Sequence, residues 1–210
     1  MQIDSNVHDT NTTAAPDGPL GVRYILGVTA FSAGIHAAST WDTSLVRERG
    51  LFLGAESKAL GVHVQLGPSA GPLGKFPTGG RNWEGFGSDP YLQGIMMGET
   101  IEGMQESGVQ ATAKHWILNE QEVNRETVSA NVTDRVLREL YAWPFADAIK
   151  SGVAAAMCRY VSEYHSRMAR IDRGRVANRI PSYNKINGTW ACESDGIMNK
   201  LFKEEMGFRG

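Results

Sequence analysis

The chain has 210 residues, of which 41% are hydrophobic and 21% charged, and its formal net charge is −2. This is a globular composition with room for one sizeable core, or for part of a larger one. The near-balanced charge argues against nucleic acid or an anionic membrane surface as the main partner, and no apolar run approaches the about 20 residues that span a bilayer.

In chain order, the opening MQIDSNVHDTNTTAAP is polar and lacks the apolar centre of a signal peptide, so residues 1–16 are expected to form a disordered tail or a truncated start. Asp42 can cap a helix through about Ala59. GVHVQLGP (Gly61–Pro68) reads as a strand, with Val62, Val64 and Leu66 alternating until Gly-Pro stops it. From Pro90 to Ser107, Leu92, Ile95, Met96, Thr100, Ile101 and Met104 recur at helical spacing, and Gly108 ends the helix. VQATAKH (Val109–His115) and VAAAMC (Val153–Cys158) fit strands buried on both faces. Between them, Asp134 can cap a helix through Lys150, with Leu137, Leu140, Tyr141 and Phe145 on one face and Pro144 bending or restarting it. Glu193–Met206 reads as a last helix, ended by Gly207.

Strands alternating with helices predict βαβ units and a parallel sheet. In a β/α barrel the active residues sit where strands end and loops begin. Two such ends carry Lys114-His115 and Met157-Cys158. A charged lysine is almost never buried unless paired, so Lys114 is either at a mouth where a polar ligand docks or on a strand running into water.

Several motifs fail. In GPSAGPLGKFPTGG (Gly67–Gly80) the phosphate-loop pattern breaks at Ser69 and Phe76, so nucleotide binding is rejected and a surface loop expected. The five histidines, His8, His36, His63, His115 and His165, form no ligand cluster, so no metal is expected. Cys158 and Cys192 could form one disulfide or remain two buried thiols. Glycosylation sequons at Asn11, Asn131 and Asn187 matter only if the chain is secreted. Arg159–Pro181 holds six of the fourteen arginines, no lysine and two acids, Glu163 and Asp172, a local charge of +4. It reads as an irregular basic insertion, a solvated excursion before a binding segment. In GGRNWEGF (Gly79–Phe86), Arg81 and Trp83 suit a polyhydroxy ligand, and an Arg81–Glu84 structural pair is the equal alternative.

Taken together, DGPLGVR (Asp17–Arg23), HVQLGP, GGRNWEGF, SDPYL, AKHWILNEQE and ELYAWPFADAIKSGV (Glu139–Val153) resemble the β-glucosidases of glycoside hydrolase family 3, above all the fungal secreted ones. The resemblance runs in order from about Pro16 to Gly210 and is interrupted only by Arg159–Pro181. It implies a barrel domain over 17–210, here an incomplete (β/α)8 barrel lacking its last strands. It also implies hydrolysis of terminal β-glucosyl residues, as in cellobiose, with retention of configuration and without a cofactor. By the same resemblance Asp17, Arg23, Arg81, Lys114, His115, Met157 and Tyr183 bind the sugar. Adjacent Lys114 and His115 would offer donors to different hydroxyls of one ring.

Retaining hydrolysis needs two carboxyl groups about 5 Å apart. The family's nucleophilic Asp is expected just after Gly210 and its acid/base further on, so no catalytic residue is assigned within the chain, and the 210 residues alone are expected to be inactive. The competing reading is a non-catalytic sugar-binding remnant or a pseudogene product. The family keeps MCSYN continuous, whereas here 23 residues separate Cys158 from Ser182, and the in-frame block is expected to be translated intron.

Overall fold

The computed structural model describes residues 16–23, 25–71, 76–125, 127–158 and 184–209. Residues 1–15 of the expected tail, the basic insertion at 159–181 and Tyr183 lie outside the described residues, whereas Pro16 is held to the sheet, its carbonyl accepting from the Leu66 amide.

A short helix, α1 (Gly34–Ala38), leads to α2 (Thr43–Ala59). Asp42 caps α2 as its sequence predicts, its carboxylate accepting from the Ser44 and Leu45 amides. The partner helix α3 (Pro90–Glu106) is capped by Asp89 and followed by Gly108 at φ +86°. These helices cross with almost no side chain between them. A Cβ on Gly50 would lie 2.7 Å from the Thr100 carbonyl oxygen, and one on Gly103 would lie 2.8 Å from the Leu51 nitrogen. Glycine is required there for backbone approach.

Three parallel strands carry the core. β1 (Val64–Gln65) pairs with β2 (Gln110–Lys114). Two further two-residue strands follow in the chain, β3 (Ser129–Ala130) and then, beyond the next sheet strand β4 (Ala155–Met157), β5 (Lys185–Ile186). β4 lies on the far side of β2, giving the order β1-β2-β4, with Lys114 opposite Met157. The Pro16–Gly18 segment lies parallel along Leu66, beyond β1. A second small sheet joins β3, β5 and β6 (Thr189–Trp190). Met97, Ile101 and Met104 of α3 belong to one buried core with Ala111 and Ala113 of β2 and with Phe145, Ala148 and Phe202. Trp116 meets Phe145 edge-on at 5.0 Å and Phe202 at 4.1 Å.

Four details differ from the sequence reading. Of the alternating residues Val62 is buried, but Val64 and Leu66 are only partly so and Gln65 is buried in their place, because its amide donates to the Gly18 carbonyl at 2.7 Å and so ties the Asp17 segment to the sheet. The cap of the helix before Pro144 is Thr133, one residue earlier than Asp134, with Thr133 Oγ1 accepting from the Val136 amide. That helix is α4 (Asp134–Val136), a π-wound stretch Leu137–Ala142, and α5 (Trp143–Lys150), which Pro144 restarts. The last helix, Gly196–Glu205, is also π-wound and starts later than Glu193, after a 3₁₀ turn at Ala191–Glu193.

Of the two states left open for the cysteines, the disulfide is present: Cys158 joins Cys192 across 34 residues. Asn184 is anchored separately, its amide donating to the Ile117 and Leu118 carbonyls at 3.0 and 3.2 Å.

Candidate functional site

The C-terminal end of β2 places Lys114 inside the protein, 1% exposed. A buried ammonium needs compensating charge. Asp17 supplies it by direct contact with Lys114 Nζ, and Glu84 Oε2 lies 3.8 Å away. Burial still lowers the lysine pKa, against the pull of Asp17 and Glu84. Lys114 therefore ends a buried strand facing two carboxylates rather than running out into water.

Asp17 reaches the site because its segment hydrogen-bonds along Leu66, and because Gly18 leaves room for Gln65. A Cβ on Gly18 would lie 2.9 Å from the Gln65 Cδ. Arg49 of α2 holds the returning chain, donating to the Pro19 and Ser32 carbonyls at 2.7 Å each, and its burial lowers its pKa to about 10. Arg23 stands 3.4 Å from the other Asp17 oxygen.

Arg81 enters from the turn before the 3₁₀ segment Asn82–Glu84. Its Nε and Nη2 form a two-pronged pair with Glu84 at 2.6 and 3.0 Å. Burial opposes the arginine's charge, but Glu84 outweighs it and the Arg81 pKa is raised. Arg81 Nη2 also lies 3.2 Å from His115 Nε2. A guanidinium only donates, so Nε2 is the acceptor and the ring proton sits on Nδ1. Burial first, then Arg81 and Lys114, hold the His115 pKa well below its ordinary value. The imidazole is neutral near pH 7 and presents Nδ1–H as a donor. The Lys114–His115 and Trp116–Ile117 peptide bonds are cis.

Asp17, Arg23, Arg81, Lys114 and His115 thus form one connected group at the end of the parallel sheet. Met157 joins it through its register with Lys114. Tyr183 lies outside the described residues. Two acids complete the arrangement and were not among the predicted site residues. Glu84, 5% exposed, links Arg81 to Lys114 and accepts from Ser69 Oγ at 3.3 Å. Its signal was the three-residue spacing in RNWE. Glu120 lines the same cleft as Arg81, Glu84, His115 and Asn119, and burial raises its pKa to about 8. Nothing in the order N-E-Q-E marks which acid turns inward. Among the described residues no group of three or more His, Cys, Asp or Glu could hold a metal ion, and no helix is long and apolar enough to cross a membrane.

Fixed N–H donors interleaved with carboxylate acceptors, at a strand end of a parallel α/β sheet, can match the hydroxyls of a neutral polyol. The comparisons are specific. Residues 14–210 match the N-terminal domain of glycosyl hydrolase family 3, and the chain belongs to that family. It is 58% identical over 194 residues to a probable β-glucosidase L of Aspergillus fumigatus, covering 92% of this chain and 23% of that protein. The solved β-D-glucoside glucohydrolase of Trichoderma reesei is 57% identical, with a TM-score of 0.78 over 91% of this chain and 24% of its own. DesR, a β-glucosidase from Streptomyces venezuelae solved in complex with D-glucose, is 33% identical with a TM-score of 0.80, covering 94% of this chain and 22% of its own. The chain thus spans about a quarter of the length of these relatives.

Proposed function

We propose that this chain is the glucose-recognising part of a β-glucosidase that removes terminal β-D-glucosyl residues with retention. Residues 17–210 form part of a (β/α)8 barrel whose last strands are not among these residues. Asp17 accepts from sugar hydroxyls, and Arg23, Arg81, Lys114 and His115 donate to them. Met157 and Tyr183 complete the wall. The observation that carries this reading is Lys114, buried at the end of β2 between Asp17 and Glu84 and followed by the neutral donor His115. Charge-assisted hydrogen bonds of this kind contribute about 1.5–3 kcal/mol each, and their placement discriminates glucose from its epimers. The kinship to named β-glucosidases and the glucose-bound relative support the substrate class. The nucleophile and the acid/base belong to the remainder of the parent enzyme. That enzyme is a secreted protein acting on cellobiose and related β-glucosides, and the 210 residues by themselves do not turn substrate over.

The purified chain is titrated with glucose and galactose while the His115 imidazole signals are followed by NMR, and is assayed on an aryl β-glucoside. Saturable shifts with glucose, weaker with galactose and lost in Lys114→Met, are expected, with hydrolysis at background. Turnover abolished by replacing one carboxylate within this chain would show that the nucleophile has been misplaced.

A further inference from the structure

The three N-x-[ST] sequons are not equivalent in the fold. Asn11 lies outside the described residues. Asn187, at φ +47° in the turn between β5 and β6, uses its side chain to clamp Val132: Oδ1 accepts from the Val132 amide at 2.9 Å and Nδ2 donates to its carbonyl at 3.0 Å. Asn131 is placed differently. It is exposed, in the irregular link between β3 and α4. Its Oδ1 accepts from Ser129 Oγ at 2.9 Å, while Nδ2 makes no hydrogen bond among the described residues. Val132 and Thr133 complete the triplet, and Thr133 is exposed too.

We propose that Asn131 carries an N-linked oligosaccharide. This rests on the reading of the protein as secreted, since the modification needs the secretory pathway. The donor is a lipid-pyrophosphate-linked oligosaccharide. The Asn131 Nδ2–C1 bond forms as the C1–O bond to pyrophosphate breaks. The lipid pyrophosphate leaves with the bonding electron pair, and one amide proton is released. Among the described residues neither Nδ2 hydrogen of Asn131 is committed, so the described fold has no hydrogen bond of Nδ2 to give up to the attached sugar. Attached directly after the edge strand β3, the sugar also shields that edge from pairing with another chain.

The 210-residue chain is expressed behind a supplied secretion leader in a glycosylating yeast. Medium and cell pools are both analysed, because transfer acts on the nascent chain. Peptides are mapped by mass spectrometry after enzymatic deglycosylation, which converts an occupied Asn to Asp. The expected result is an occupied Asn131, with one discrete mobility step lost in Asn131→Gln and in Thr133→Ala but kept in Thr133→Ser. An unmodified Asn131 peptide from chain that has entered the pathway overturns the proposal. In parallel, the natural host is fractionated. Recovery of the protein from the cytosol there overturns the secretion reading, while the leader-fused chain still decides the site.

Discussion

Glu84 is the acid on which the candidate site turns, and Glu84→Gln tests that role with little change in volume. The substitution removes the charge that Arg81 grips at 2.6 and 3.0 Å and that lies 3.8 Å from the buried Lys114 ammonium. It also places an amide N–H₂ among donors. Removing one partner of a buried pair costs about 3–5 kcal/mol. The amide keeps one acceptor oxygen and Arg81 keeps Glu122 at 3.5 Å, so the low end applies, about 3 kcal/mol. For a chain of this size each kcal/mol moves Tm by about 2–4 °C, which gives a fall of roughly 6–12 °C. Thermal unfolding followed by circular dichroism reads this directly. Arg81→Met and the double variant complete a cycle. Once both charges are gone the second substitution costs less than it does alone, by at least about 1 kcal/mol. Glucose affinity in Glu84→Gln falls at least about tenfold, or 1.4 kcal/mol, as Arg81 and Lys114 lose their fixed positions. A Tm within about 2 °C of the parent, or strictly additive costs, would refute the reasoning.

Two further expectations concern groups around the site. The Glu120 carboxyl is raised to about 8 by burial. The unfolded chain therefore ionises first, and stability falls as pH rises from the ordinary carboxylate range toward about 8; Glu120→Gln should raise Tm at that pH and leave it nearly unchanged near pH 4, and an unchanged profile would mean that Glu120 finds a charged partner in solution. Reducing the Cys158–Cys192 bond frees a closure of 34 residues, worth about 4 kcal/mol in the chain-entropy picture, so Tm should drop by roughly 8–16 °C under reductant; a drop below about 3 °C would show that the packing around Ala191 holds the flanks unaided.

What was legible in the sequence was whatever local chemistry decides. The N-cap at Asp42, the stop at Gly108 and the small-residue strand ending at Lys114 each follow from neighbours a few residues apart, and the structure has them where the pattern predicts. Gln65 was misread because alternation assumes that a strand buries its apolar side. Here a buried amide serves a carbonyl 47 residues away in the chain. The choice of Thr133 over Asp134 as cap depends on one residue of backbone geometry that two adjacent capping residues leave undetermined. The π-wound stretches keep an apolar face, so periodicity cannot separate them from an α-helix. Of the candidate site residues, Lys114 and His115 were singled out by the strand end and Arg81 by the chemistry of its loop, whereas Asp17 and Arg23 were assigned only by motif resemblance, because they come from a different segment whose local pattern carries no such signal. Glu84 was read only as a structural partner of Arg81, a pair the structure contains, and Glu120 was not singled out, because the direction in which each turns is set by tertiary packing.

The two anchors flanking Cys158 and Asn184 have a consequence for how this gene can change. Cys158 is fixed by its bond to Cys192 and by the register of β4 beside β2. Asn184 is fixed on its own by the carbonyls of Ile117 and Leu118. Neither anchor depends on the number of residues between them, and closure entropy grows only slowly with that number. Extra length there consequently costs the fold little. The stretch is a position where extra residues can be carried, and where a reporter domain can be inserted, with Lys114 and Met157 still opposite one another.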